Sequence, residues 1–323
     1  MKMDRKIFIC GFQSDYSRYD LQQLKEIYCI EHIYINKYVI SILLILRRLN
    51  CATFESLTKR MLERRLKNMQ EDDILVCNDS YLYILAFKLD LKFRRQILLI
   101  RNKYNNDLMS RVESDVECFS FDIEDCSKYN LKYYRQYCSG YAELVNQPSR
   151  KINDRYNITM YFLGLNKGRT KWLNYIKSIS GGVNHKFLVK YQSNLFIRFI
   201  CVFFKVEKYT LLSYKEHLDN VNECNIIVDI VQEGQSGYTM RTIESLLARK
   251  KLITNNKNVI SEDFYDPNRI LVLSGDESID AERICEFLDN IEQNEIATAV
   301  DFSTYSIVHV FEKILKIQVF KKN

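Results

Sequence analysis

The chain has 323 residues, of which 47% are hydrophobic and 27% are charged, and its formal net charge is +6. It contains only two prolines and nine glycines, which excludes a collagen-like chain and argues against both disorder and a turn-rich β-sandwich. This length predicts two domains of about 150 residues each.

The first half of the chain alternates short apolar runs with helical patterns. Predicted strands are Lys6–Phe12, Asp73–Cys77, Gln96–Arg101 and Val116–Phe121, and predicted helices are Leu21–Tyr28 and a segment capped by Asn78–Ser80 that runs through Phe87. This alternation is typical of a parallel sheet covered by helices, and the almost wholly apolar strands indicate burial on both faces. We therefore predict a Rossmann-like domain over residues 1–150.

A basic stretch follows the apolar segment Tyr38–Leu46. Arg47–Lys67 holds seven basic and two acidic residues, so this region is predicted to contact an anionic membrane surface peripherally. The alternative is a core helix followed by a solvated one. Neither Tyr38–Leu46 nor Leu195–Phe204 approaches the roughly 20 apolar residues of a membrane-spanning helix.

The first residues and the cysteines indicate a cytoplasmic protein. The apolar run Lys6–Phe12 is too short for a signal peptide. The ten cysteines are scattered without a C-x-x-C motif, and several lie in predicted strands, which favours reduced, buried thiols. We expect a cytoplasmic location, peripheral at the inner face of the cytoplasmic membrane.

The second half repeats the pattern of strands and helices after a predicted linker at Asn146–Asp154, which contains one of the two prolines. Predicted strands are Ile158–Leu163, Phe187–Val189, Ile226–Val231 and Lys251–Thr254, and predicted helices are Trp172–Ile179, Tyr214–Asn222, Thr239–Ala248, Ile279–Ile291 and Ser303–Lys316. The prediction is an α/β protein with a second Rossmann-like, doubly wound domain over residues 151–302. Residues 303–323 are predicted to form a helix that returns to the first domain, and the two domains are expected to face a central cleft.

The densest functional signal is the run from Asp229 to Glu244, in which a strand ends in a loop with two glycines and then enters a helix. Such a loop presents backbone N–H groups and the positive end of a helix dipole to a phosphate. Arg241 can add a charged hydrogen-bond donor, and Glu244 can accept hydrogen bonds from ribose hydroxyls. The alternative is an ordinary strand–loop–helix turn with a surface Arg241–Glu244 pair.

A second candidate site is the loop Gly164–Arg169 after the first strand of the second half. Lys167 and Arg169 lie where the carboxyl ends of parallel strands meet, which is the usual ligand position in an open α/β sheet. Two cations there suit a diphosphate. The alternative is a loop whose basic residues have no ligand.

Asp15, which follows the first predicted strand, is a candidate general base toward a hydroxyl. Its alternative role is to cap the next helix. The four histidines have no spacing typical of a metal site or a catalytic pair, and we expect them to be structural. Walker and G-x-S-x-G motifs are absent from the sequence, and we predict no metal and no cofactor.

Three segments resemble bacterial lipopolysaccharide and O-antigen biosynthesis glycosyltransferases of the GT-B type. The strongest is Asp229–Asn256, followed by Asp263–Tyr265. The other two are Phe119–Asp122 with Asp125, Lys128 and Tyr129, and Tyr161–Gly164 with Lys167, Gly168 and Arg169. The resemblance covers residues 115–290 and is thin before residue 70.

The resemblance implies a nucleotide-sugar donor held by the C-terminal domain and a lipid-linked or lipopolysaccharide glycan acceptor held by the N-terminal one. By position, Lys167 and Arg169 meet the diphosphate, Gln235, Ser236, Gly237, Thr239 and Arg241 line the phosphate loop, and Glu244 holds the ribose. Many retaining members carry two glutamates eight residues apart, whereas Glu233 and Glu244 are eleven apart. Asp15 and Glu233 are the candidate catalytic residues, and retention or inversion stays open.

Two other classes of function are compatible with the sequence. One is a glycan-modifying transferase on the same architecture, such as a pyruvyl- or phosphotransferase. The other is a non-enzymatic protein that binds nucleic acid through Arg47–Lys67, which predicts a steeply salt-dependent affinity. The glycosyltransferase hypothesis includes no nucleic-acid partner.

Overall fold

The computed structural model describes residues 5–49, 53–146, 158–191, 212–290 and 300–316. The chain divides into two compact units: unit 1 comprises Met1–Arg135 and Ile307–Asn323, and unit 2 comprises Gln136–Ser306. The chain therefore leaves unit 1 once and returns to it after unit 2. All but the first residue of the predicted linker, and all of Leu195–Phe204, lie outside the described residues.

Unit 1 is built on a parallel six-stranded sheet. Its strands are β1 (Lys6–Cys10), β2 (Cys29–Ile33), β3 (Ile74–Asn78), β4 (Arg95–Ile100), β5 (Glu117–Ser120) and β6 (Lys132–Tyr133). Their order across the sheet is β2-β1-β3-β4-β5-β6. Its helices are α1 (Asp15–Ile27), α2 (Lys37–Arg48), α3 (Thr53–Leu66), α4 (Asn106–Met109) and α5 (Ile123–Tyr129), with a 3-10 helix at Tyr83–Lys88 where the sequence predicted a helix.

The last helix of unit 1, α11 (Ile307–Leu315), comes from the far end of the chain. Its Phe311 is buried, and the centroid of its ring lies 6.4 Å from that of Tyr28. Arg95 donates from Nη1 and Nη2 to the carbonyls of the last two residues of α11, at 3.1 and 3.0 Å, and from Nη2 to Glu117 at 3.0 Å. Hydrogen bonds from Arg95, and then from Lys132, lower the pKa of Glu117 to about 2.

Unit 2 is built on a parallel five-stranded sheet. Its strands are β7 (Thr159–Leu165), β8 (Asn184–Lys190), β9 (Ile226–Asp229), β10 (Lys251–Thr254) and β11 (Ile270–Val272), in the order β11-β10-β9-β7-β8. Its helices are α6 (Tyr141–Val145), α7 (Thr170–Ile179), α8 (Tyr214–Glu223), α9 (Met240–Leu247) and α10 (Glu277–Asp289), with 3-10 helices at Lys257–Ser261 and Phe302–Tyr305.

Both sheets share one topology. In each, the first strand lies between the second and the third, so the winding direction switches between β1 and β3 in unit 1 and between β7 and β9 in unit 2. This is the doubly wound order in which ligands bind at the carboxyl ends of the two strands at the switch. The predicted α/β class with two Rossmann-like domains is confirmed.

The described cysteines are free thiols, and five of the eight are buried. Among the described residues, no helix is both long and apolar enough to cross a membrane.

Candidate functional site

The candidate site of unit 2 lies at the carboxyl ends of β7 and β9, which are neighbours in the sheet. β7 leads into the loop before α7, and β9 leads into the loop 230–239 before α9. Two helices therefore begin at this edge with their positive dipole ends. The structure brings the two predicted phosphate loops together, because Arg169 donates from Nε to the carbonyl of Ile230 and Arg241 donates from Nη1 to that of Leu163.

Asp229, the last residue of β9, is fully buried and organises the start of α9. Its Oδ1 accepts a hydrogen bond from Arg241 Nε at 3.1 Å and lies 3.0 Å from Nη2. Its Oδ2 accepts hydrogen bonds from the hydroxyls of Thr239 and Thr242 at 2.8 and 2.7 Å. Arg241 is therefore ion-paired with Asp229 in the interior, whereas the sequence suggested either a phosphate contact or a surface pair with Glu244.

Lys167 and Arg169 add two positive charges beside this pair. Burial, and then the charge of Arg241, lower the pKa of Arg169 to about 10. Partial desolvation, and then the charge of Arg169, lower the pKa of Lys167. Within the described part of the chain, neither side chain forms an ion pair. With Glu233 in the loop counted beside Asp229, three cations stand against two carboxylates, and the remaining positive charge favours an anionic ligand.

The loop 230–239 is hydrogen-bonded by three asparagines that follow β10. Asn255 Oδ1 accepts a hydrogen bond from the backbone N–H of Val231 at 2.9 Å. Asn256 and Asn258 both donate to the carbonyl of Ser236 at 3.2 Å. Sequence reasoning missed these three residues, although the run Asn255–Asn256 directly after a buried strand is a signal for loop-binding amides.

The predicted residues of that loop differ in exposure. Gln235 donates from Nε2 to the carbonyl of Gly237 at 2.9 Å. Ser236 and Gly237 are buried, whereas Glu233 is exposed. Thr239 caps α9 by accepting a hydrogen bond from the backbone N–H of Arg241. The loop therefore has a defined conformation, and the phosphate contacts assigned to it stay predictions.

Glu244 lies in the interior of unit 2 with no exposed surface. One carboxylate oxygen accepts a hydrogen bond from Tyr214 at 2.9 Å, and the other lies 2.8 Å from Nε2 of His217. Burial acts to raise the pKa of Glu244, but His217 and Tyr214 outweigh it, and the net shift is downward. Both oxygens are thus bound by protein groups, and the ribose contact assigned to Glu244 stays a prediction.

His217 belongs to a buried polar network that the sequence did not reveal. Its Nδ1 lies 2.9 Å from the hydroxyl of Tyr161 on β7. Tyr214 and His217, three residues apart, share one face of α8. The spacing is visible in the sequence, whereas the partner Glu244 is 27 residues away.

Asp15 is the first residue of α1 in unit 1, and its carboxylate lies 3.7 Å from Nη1 of Arg18. The N-cap position belongs to Ser14, so Asp15 does not have the alternative role of helix cap. Its role as a base stays a prediction. Among the described residues, no group of three or more His, Cys, Asp or Glu side chains could hold a metal ion.

No family model matches the sequence, and no curated protein matches it. Several solved structures are similar to the whole chain. A UDP-forming α,α-trehalose-phosphate synthase from Burkholderia xenovorans has 9% identity and a TM-score of 0.57 over 97% of this chain and 98% of that one. An E. coli trehalose-6-phosphate structure bound with UDP-2-fluoro glucose has 9% identity and a TM-score of 0.57 over 97% and 99%.

A Listeria monocytogenes structure assigned as UDP-N-acetylglucosamine 2-epimerase is similar at 9% identity and a TM-score of 0.53, over 100% of this chain and 99% of that one. At these identities the likeness shows the fold. The chain has the GT-B fold, with two Rossmann-like domains.

Proposed function

We propose that this chain is a glycosyltransferase that takes its sugar from a nucleotide-sugar donor and binds the donor's diphosphate in unit 2. The observation that carries the proposal is the excess positive charge at the carboxyl ends of β7 and β9, where Lys167 and Arg169 lie beside the Arg241–Asp229 pair. The similar structures support it, since one is described as UDP-forming and another is bound with UDP-2-fluoro glucose.

The three cations have different roles in this proposal. Arg169 and Arg241 donate to main-chain carbonyls and are fixed in place, so they supply a constant positive potential. Lys167 is exposed and contacts the diphosphate directly. Gly168 has a φ of +84° and open space around it, which lets the backbone approach a phosphate closely. Such fixed charge stabilises the leaving nucleoside diphosphate as its bond to the sugar's anomeric carbon breaks and the glycosidic bond to the acceptor hydroxyl forms.

The test is calorimetric titration of the full chain with UDP-, GDP- and dTDP-sugars, and with CMP-sugars, which have one phosphate and should bind more weakly. Lys167→Ala should weaken binding of the preferred donor about 10- to 150-fold, the range for losing a hydrogen bond to a charged group. Lys171→Ala, which removes an exposed lysine from the first turn of α7, is the matched control and should leave affinity unchanged. Equal affinities of the two variants, or no nucleotide binding by the unchanged protein, would contradict the proposal.

The acceptor in this proposal is a lipid-linked or lipopolysaccharide glycan at the inner face of the cytoplasmic membrane. The membrane location is supported by the side chains that α2 and α3 expose. α2 exposes Tyr38, Ile42 and Ile45, and Leu49, which follows the helix as its C-cap, is exposed as well. Their spacing of four, three and four residues puts the three helical residues on one face and Leu49 at its end. α3 exposes Leu57, Arg60, Arg64 and Arg65. Exposed apolar side chains on one helix and exposed arginines on the next suit an anionic bilayer surface, where each basic residue contributes about 1 kcal/mol.

Vesicle flotation tests this part of the proposal. The chain should bind phosphatidylglycerol-containing vesicles at low salt, and Arg64→Glu with Arg65→Glu should reduce the bound fraction strongly. Lys177→Glu with Arg249→Glu, at two exposed basic residues of unit 2, is the charge-matched control. Binding to neutral vesicles as tightly as to anionic ones, or to neither, favours the reading of α3 as an ordinary solvated helix.

A further inference from the structure

Unit 1 contains a groove of about 680 Å³ between α1 and the end of β2. One wall is formed by Arg18, Gln22 and Lys25, whose spacing of four and three residues puts them on one face of α1. This volume lies within the range of small-molecule sites. The groove is far in sequence from the residues assigned to the donor and belongs to the other unit.

The opposite wall is aromatic. His32 and Tyr34 alternate along the chain with Ile33 and Ile35, which are buried in the core, so both rings lie on the groove side. The two ring centroids are 5.6 Å apart, and 56% of the Tyr34 surface is exposed. An exposed tyrosine of this kind offers a flat apolar face with a polar edge.

The orientation of the His32 ring is fixed. Its Nε2 lies 2.6 Å from the carbonyl oxygen of Gly11. A carbonyl only accepts, so Nε2 carries the proton, and Nδ1 is the hydrogen-bond acceptor in the neutral ring. Burial, with a further contribution from Lys25, lowers the pKa of His32 and keeps the ring neutral at pH 7.

The turn beneath the groove is strained. Gly11 and Phe12 have φ values of 87° and 55°, and Phe12 is buried in this left-handed conformation, which side chains of its size rarely adopt. Gln13 holds the turn by donating from Nε2 to the carbonyl of Ile35 at 2.6 Å. Strain of this kind persists where the surroundings determine the conformation, and it concentrates at ligand sites.

The charges at the groove favour an anion. The lining has two cations, Arg18 and Lys25, and one carboxylate, that of Glu26, and Asp15 lies beside Arg18, so Lys25 is the cation that is available to an anion. Arg18 forms an exposed ion pair with Asp15 at 3.7 Å, which is weak, and Lys25 forms none among the described residues. An aromatic face, an amide and two cations around one opening are the groups that recognise a sugar with a negative charge.

We propose that this groove binds an anionic sugar, with Tyr34 against the sugar ring, Lys25 and Arg18 on its phosphate or carboxylate, and Nδ1 of His32 accepting a hydrogen bond from a hydroxyl. The inference rests on the proposed function, in which this sugar is part of the acceptor. The inference assigns a negatively charged group to the acceptor. The proposed donor site by itself does not require the acceptor to be charged.

Ligand-observed NMR titration of the full chain without nucleotide tests the proposal, with glucose 6-phosphate, glucuronate and glucose as probes. An anionic sugar should bind at least 10-fold more tightly than glucose, and the stronger of the two identifies phosphate or carboxylate as the preferred group. Lys25→Gln should abolish this preference, and Tyr34→Ala should weaken binding of all three sugars at least 5-fold. Lys92→Gln, at an exposed lysine outside the groove, should change nothing.

Three outcomes overturn the proposal: no sugar binds, glucose binds as tightly as the charged sugars, or Lys25→Gln and Lys92→Gln behave alike. A fourth is equal binding of inorganic phosphate and glucose 6-phosphate, which removes the sugar from the inference. Lys167→Ala should leave sugar binding unchanged. Sugar binding without nucleotide binding supports the groove and contradicts the donor site, whereas the reverse contradicts the groove alone.

Discussion

Replacing Asp229 by asparagine should destabilise unit 2 by about 3 kcal/mol. The carboxylate is fully buried and accepts hydrogen bonds from Arg241, Thr239 and Thr242. Removing one partner of a buried ion pair costs about 3–5 kcal/mol because the other charge stays buried without compensation. The lower end applies here, since the side chain of Arg241 is 15% exposed. At 2–4 °C per kcal/mol for a unit of this size, Tm should fall by about 6–12 °C.

The chain has a built-in probe for this measurement. Its single tryptophan, Trp172, lies in α7 of unit 2, so tryptophan fluorescence during urea unfolding follows that unit. Thr242→Val removes one neutral hydroxyl from the same network and should cost about 1 kcal/mol. It serves as the control for disturbing the packing around Asp229 without changing charge.

A double-mutant cycle with Arg241→Met separates the ion pair from general disruption. Removing both charges should cost less than the sum of the two single changes by at least about 1 kcal/mol, because neither charge is then left unpaired. The reasoning fails if Asp229→Asn alone costs less than about 1 kcal/mol, or if the two changes are additive.

Three further predictions concern charge and backbone conformation. The depressed pKa of Glu117 stabilises unit 1 above pH 4.5, and this stabilisation is lost as pH falls toward 2. The full shift corresponds to about 3.4 kcal/mol, which partial exposure of the pair reduces to about 2 kcal/mol; in acid unfolding followed by circular dichroism, Glu117→Gln should remove this part of the dependence. Burial lowers the pKa of Lys251 to about 8, so the folded state loses its proton before the unfolded state; stability read from Trp172 should rise between pH 8 and 10.5 by up to about 1.4 kcal/mol per unit, and Lys251→Met should lack this rise. Gly168→Ala should cost about 1 kcal/mol in urea unfolding because φ is +84° there, and an unchanged midpoint would contradict it.

The inner strands were predictable because burial on both faces leaves an unbroken apolar run. β1, β3, β4 and β9 each lie in an apolar run of this kind, and the structure places each strand within one or two residues of its predicted bounds. The edge strand β2 was missed because none of the described strands pairs with its outer side, and its sequence CIEHI includes charged and polar residues. β6 and β11 are only two and three residues long, too short for a periodic signal.

The positions of the two loops were predictable from the sequence, whereas the partners of Arg241 and Glu244 were not. The loops after β7 and β9 follow from strand ends and glycines, which are local features. The partners of Arg241 and Glu244 depend on how distant helices and strands pack, so spacing along the chain suggested the wrong pair. In the structure residues 242–247 of α9 are all buried, so the helix is enclosed on every side and Glu244 lies in the interior.

The return of α11 to unit 1 has a consequence for synthesis on the ribosome. Residues 136–306, 171 in number, are translated between the body of unit 1 and this helix. At about 5–20 residues per second, that takes roughly 10–35 s. During this interval the surface that Phe311 covers beside Tyr28 is open, and Arg95 lacks the carbonyls of α11. The nascent chain therefore carries an incomplete unit 1 while unit 2 emerges. Unit 1 is begun first, but it is completed only after all of unit 2 has been synthesised.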